Sequence, residues 1–142
     1  MQPSNYSITN ALFCDDYRVE QSGKGIIVGL YQNSAAFDEY PAKFRFVVLM
    51  VGTATGDFEV SIKVRFEPDS VSENVEIEKN ARAEIHKEID GEPIRLFMPM
   101  PALEFNLSGP GEISVWIRTK KKRARWNKIG HLDILTSDEI EE

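Results

Sequence analysis

Between Asp57 and Glu67 the chain alternates without a break. Phe58, Val60, Ile62, Val64 and Phe66 are apolar, while Glu59, Ser61, Lys63, Arg65 and Glu67 are polar or charged. Successive side chains of a β-strand point to opposite faces, so this pattern sets an apolar face over a core and a charged face toward water. Wound as a helix, the five apolar residues would scatter around the whole circumference. The segment therefore predicts a β-protein with a sheet solvated on one side. It carries no chemistry of its own.

A chain of 142 residues can bury roughly two thirds of its unfolded surface and reads as one domain, 1–142, with frayed tails over 1–9 and 137–142. Its net charge of -6 gives no global attraction to nucleic acid or an anionic membrane. No apolar run is long enough to predict a membrane-spanning helix. Met1 to Asn10 lacks the basic-then-apolar order of a secretory leader, so none is expected. The single Cys14 cannot form an intramolecular disulfide and suits a reducing compartment, which makes the cytoplasm the expected location.

Along the chain, Asn10–Glu20 and Lys24–Gln32 read as two strands of a hairpin turning near Gly23. Asn33–Pro41 reads as a connecting loop. Lys43–Val51 reads as a third strand, joined by Gly52-Thr53-Ala54-Thr55-Gly56 to the alternating strand in a second hairpin. Asn74–Glu78 predicts a short strand, and residues 80–89 fit a strand ending at Asp90-Gly91 or a helix, the strand being favoured. Segments 93–98 and 102–107 flank Pro99-Met100-Pro101, which points to an edge strand or a crossing between sheets. Glu112–Arg118 and Ala124–Leu135 complete the pattern. About eight or nine short strands with regular turns predict an all-β, antiparallel, immunoglobulin-like β-sandwich.

Two strands depart from alternation in the same way. Ile26-Ile27-Val28 runs through Gly29 into Leu30-Tyr31, and Phe46 to Val51 is apolar throughout. Continuous apolar strands need both faces covered. The opposing sheet covers one; the other needs Phe37 and Tyr40 from the connecting loop, or a second copy of the chain.

The loudest local signal is basic. Arg118, Lys120, Lys121, Lys122, Arg123, Arg125 and Lys128 supply seven positive charges with no acid between them, and Trp126 lies inside the run. The other 10 basic residues face 23 acidic ones. A basic tip with an aromatic can hold phosphate backbones and stack on a base. It also serves to keep a sheet edge soluble, or to dock an acidic protein surface. Asp15-Asp16 beside Cys14 suggests a metal or a nucleophile, but neighbours in a strand point apart, and a reactive thiol needs a base such as His86 or His131. Neither histidine has metal-ligand spacing, and both read as exposed surface. Gly23-Lys24-Gly25 precedes a strand and reads as a hairpin turn, not a phosphate loop.

The opening segment Asn10-Ala11-Leu12-Phe13-Cys14-Asp15-Asp16-Tyr17-Arg18, with Gly23-Lys24 and Ile27-Val28-Gly29-Leu30-Tyr31, resembles the start of a family of small bacterial proteins of unknown function. The similarity covers the first 31 residues. It implies a β-sandwich and a bacterial or phage-related cytoplasmic protein, and brings no activity to transfer.

The sequence thus leads to a non-enzymatic interaction or structural module, with no catalytic residue, metal or cofactor and a homodimer as the expected assembly. The alternative is a nucleic-acid-binding accessory protein using the tip 118–128.

Overall fold

The computed structural model describes residues 6–70, 74–84, 92–100, 102–120 and 124–139. Among them ten strands occur: β1 (Tyr6–Val19), β2 (Gly25–Tyr31), β3 (Ser34–Phe37), β4 (Ala42–Ala54), β5 (Phe58–Pro68), β6 (Val75–Ala83), β7 (Ile94–Pro99), β8 (Leu103–Leu107), β9 (Gly111–Thr119) and β10 (Asn127–Thr136). They form two five-stranded sheets. The first runs β2-β1-β4, with β7 and then β8 pairing β4; the second runs β3-β10-β9-β5-β6.

The alternation of β5 is realised side chain by side chain. Phe58, Val60, Ile62, Val64 and Phe66 are all buried in the layer between the sheets. On the neighbouring β9, Ile117, Val115 and Ile113 stand opposite Ile62, Val64 and Phe66. From the first sheet Phe13, Phe44, Phe46, Val48, Met50 and Phe105 enter the same layer. Phe46 stacks on Phe44 at 4.7 Å and meets Phe105 edge-on at 5.6 Å.

Several expectations are corrected. β4 and β5 are not a hairpin: β4 pairs with β1, β7 and β8 in one sheet, and β5 with β6 and β9 in the other. Gly52 to Ala54 still belong to β4, and the short connection 55–57 is an arch over the core, which lets both strands turn their apolar sides inward. The presumed loop 33–41 contains β3, which pairs in parallel with β10. Residues 80–83 extend β6 as strand, while 85–91 lie outside the described residues. The first strand starts at Tyr6, inside the expected tail, and Tyr6 stacks on Phe58 at 4.5 Å. Ser137–Glu139 forms a 3-10 turn.

The Pro99–Pro101 interruption behaves as a sheet edge should. β7 pairs with residues 49–54 of β4 and β8 with residues 42–46, and between them the Met100 N–H donates to Val48 O at 2.8 Å. Pro99 is exposed and Met100 buried, so the edge is broken without opening the core.

Truncating Ile62 or Phe66 to Ala should lower unfolding free energy by about 2–5 kcal/mol, through lost transfer energy and the remaining cavity. The exposed Glu59→Ala on the same strand should stay within about 0.5 kcal/mol. Urea denaturation measures both, and equal losses at the two kinds of position would contradict this register.

Candidate interaction surfaces

The outer face of the second sheet gathers the only two tryptophans of the chain. Across β5 and β9, Lys63 stands opposite Trp116; across β9 and β10, Trp116 stands opposite Lys128. The Lys63 Nζ lies 4.5 Å from the Trp126 ring centroid and 5.3 Å from that of Trp116. Arg118 shares Trp126, its Cζ 4.3 Å from the ring centroid. Arg65 and Lys128 approach Trp116 at 5.9 Å. The Trp116 Nε1–H donates to Ser114 Oγ at 2.9 Å, which fixes the indole on the sheet.

Of the basic run, then, Arg118, Trp126 and Lys128 are gathered on this face rather than carried at a free tip. Lys120 and Arg125 are exposed beside it, and Lys121, Lys122 and Arg123 lie outside the described residues. The expectation that the polar face of β5 is all turned to water is also corrected: Lys63 is only 9% exposed and Ser61 is buried. The ammonium loses water and gains two indole faces, an attraction that strengthens as the cation is desolvated. Sequence alone gave no sign of this, because the two rings come from Trp116 and Trp126, more than fifty positions further along.

Cys14, Asp15 and Asp16 do not form a reactive group. Cys14 is fully buried, and its burial, followed by the charges of Asp15 and Asp16, pushes the thiol pKa up. Asp15 accepts from the Tyr31 hydroxyl at 2.8 Å, while Asp16 binds Arg18 Nε at 2.8 Å and the Tyr17 N–H at 2.9 Å. Asp16 is thus held by Arg18. His86 lies outside the described residues.

His131 has closer company than its sequence neighbours suggest. Ligand atoms of Glu112, His131 and Asp133 lie within 4.8 Å of one another. Asp133 follows two residues after His131 on β10 and pairs with Glu112 across β9. The His-x-Asp spacing was the available signal; the third acid arrives only through register. The Lys128 ammonium already occupies Glu112 Oε1 at 2.7 Å, a competitor for any cation there.

The outer face of the first sheet is charged where Lys43, Arg45, Glu104 and Asn106 stand and apolar beyond them. Pairings Leu30–Cys14–Val47 and Leu12–Leu49–Pro99 run across it, and Val51 stands opposite Phe97. None of these residues belongs to the layer between the sheets. Phe97 is 48% exposed and Leu30 49%. Phe37 and Tyr40 do not cover this face. Phe37 meets Phe44 of the inner layer at 5.3 Å, and the Tyr40 hydroxyl donates to Leu135 O at 2.6 Å.

At the edge of that sheet, β1 leaves β4 after Cys14 and continues with β2 alone. Val19, Ile26, Ile27, Val28 and Leu30 are all exposed on this hairpin arm. Gly29 adopts a left-handed φ of 65°, with the Asp15 carboxylate lying where a Cβ would be. A side chain there would be strained and would displace that carboxylate from Tyr31.

Two open grooves of about 490 and 530 Å³ flank the place where β10 passes β1, where Gly130 lies against Ala11. Tyr31, Lys128 and His131 are among the residues lining the first, and Tyr6, Thr119 and Arg125 among those lining the second. Compared with known proteins, the chain matches no protein-family model and no curated protein.

Tyr31 supplies a measurable signature. Burial first, then the hydrogen bond to Asp15, pushes its phenol up to about 12. The folded state thus holds this proton more tightly than the unfolded chain, whose phenol ionises near its usual value of about 10. The resulting stability is present below about pH 10 and is lost as pH rises toward about 12. Alkaline titration followed by tyrosinate absorbance should show a group ionising in that upper range, moving downward in Asp15→Asn. A Tyr31→Phe variant that leaves the late transition intact would refute the assignment.

Proposed function

We propose that this chain is a non-enzymatic, immunoglobulin-like β-sandwich that acts by protein–protein contact, pairing with a second copy of itself through the first sheet. Support for the immunoglobulin-like topology comes from the crossing order. β1, β4 and β7–β8 stand where strands A, B and E of that fold stand, and β5, β9 and β10 where C, F and G stand. The layer between the sheets is filled by aliphatic and phenylalanine side chains, among them Val48, Ile62, Val115 and Phe46.

The observation that carries the functional reading is the β2 arm, whose apolar side chains are exposed on both faces at a sheet edge. Such an edge offers unpaired backbone groups together with a hydrophobic surface, and soluble proteins normally blunt or cover it. A second copy fits best because β2 is complementary to itself. An antiparallel partner related by a twofold axis near Val28 sets Ile26 of one copy against Leu30 of the other. That pairing would join the two first sheets and extend the outer apolar face. A single buried thiol agrees with a reducing, cytoplasmic setting.

Sedimentation equilibrium at micromolar concentration should give a dimer, and Val28→Lys or Leu30→Lys a monomer with nearly unchanged thermal stability. A wild-type monomer would overturn the reading. Nucleic acid is not adopted as the partner, because the net charge of -6 repels an extended phosphate backbone. Filter binding near physiological salt should show no retention of single- or double-stranded DNA; sub-micromolar retention lost in Lys120→Ser/Arg125→Ser would restore that alternative.

A further inference from the structure

We propose that the Lys63–Trp116–Trp126–Arg118 cluster on the outer face of the second sheet binds a phosphate oxyanion, free or carried by a small ligand. This site lies on the opposite sheet from the proposed dimer surface and does not depend on it. Lys63 is more than nine-tenths buried, yet no carboxylate among the described residues lies within 4.0 Å of its Nζ, and it makes no hydrogen bond there. Glu78 stands directly opposite on β6, but the ammonium turns instead between the indoles.

The neighbouring cations divide into two kinds. Arg65 is paired with Glu67 at 3.0 Å and Glu76 at 2.9 Å, and Lys128 with Glu112 at 2.7 Å. Arg118, like Lys63, has no acidic partner among the described residues, and both contact Trp126. Both cations are left unneutralised beside one ring, and an anion bound at Trp126 is attracted by each of them. The ammonium is also reachable. Among the described residues no side-chain nitrogen is both sealed from solvent and without a partner, so the unbonded Lys63 Nζ opens to the surface. Indole faces have no acceptor with which to satisfy its three N–H donors; a phosphate oxygen does. Arg118 adds a planar fork suited to the same group. The exposed Lys120 and Arg125 raise the local positive potential further.

Because Trp116 and Trp126 are the only tryptophans, intrinsic fluorescence reports this site alone. The intact protein is titrated with inorganic phosphate, a nucleoside monophosphate and a short single-stranded oligonucleotide, each against sodium chloride of equal ionic strength. Both small phosphates should change the tryptophan emission with a midpoint on the order of 1 mM or below. Equal midpoints would identify the phosphate group as the recognised part, and a tighter nucleotide would add the base as a second contact. Lys63→Met keeps the aliphatic stem between the indoles, and Arg118→Gln leaves β9 undisturbed. Each should weaken the response about tenfold or more, as expected for loss of one charge-assisted hydrogen bond, with thermal melts confirming folding. Should Lys63→Met fail to fold, Arg118→Gln alone decides. No response to either small phosphate, a response matched by sodium chloride, or one undiminished in the folded variants would overturn the proposal. So would a response to the oligonucleotide alone, which would favour a nucleic-acid surface.

Discussion

β4 is the strand on which the architecture depends, because it must be buried on both faces. Phe44, Phe46, Val48 and Met50 point into the layer between the sheets, while Val47 and Leu49 are buried on the other side. A strand of that composition is stable only in the middle of a sheet, with partners along both edges. It has them: β1 on one side, β7 and β8 in succession on the other. Once β4 is fixed there, β5 must cross to the opposite sheet, since its single apolar face can be buried only by facing β4 and not by lying beside it. The arch at 55–57, the continuation into β6 and the placement of β9 all follow from that one requirement.

The two outer faces solve different problems with different chemistry. On the first sheet Cys14, Val47 and Leu49 are buried, and the exposed apolar area lies at Leu30 and Phe97 beside them, where contact with water costs free energy. On the second the residues are polar, and Lys63 is the buried member. Its ammonium meets the indoles of Trp116 on β9 and of Trp126 just before β10, the first held by Ser114. That arrangement draws the end of the basic segment down onto the sheet at Trp126.

What could be read from the chain was the period of each strand; what could not was who stands beside whom. Phe58 to Phe66 and Ile113 to Ile117 announced themselves because every second residue is apolar. The β4–β5 connection was misread because a short glycine-containing link looks the same whether it closes a hairpin or arches between sheets. Ser34–Phe37 gave no strand signal, since a run of Ser-Ala-Ala-Phe has little to alternate, and only the parallel pairing with β10 makes it a strand. The burial of Lys63 was invisible because Trp116 and Trp126 lie far along the chain, and of the Glu112–His131–Asp133 group only the His-x-Asp spacing showed, Glu112 arriving through the pairing of β9 with β10. The apolar surplus of β4 was legible and is matched by burial on both faces, whereas the same surplus in β2 misled, because β2 lies at a sheet edge with Ile26, Ile27, Val28 and Leu30 exposed.

The parallel pair of β3 and β10 carries a consequence for how the chain reaches this state. Ala35 is matched with Ile134, so a strand made early in synthesis waits for the last one before its backbone is satisfied. Closing so long a loop is entropically slow, and folds rich in such distant pairings acquire their native order late. Until β10 emerges from the ribosome, β9 lacks one of its two neighbours and β3 has none within its sheet. The nascent chain is then most exposed to wrong pairing, and the gap between the synthesis of residue 37 and residue 136 is the interval a chaperone would have to cover.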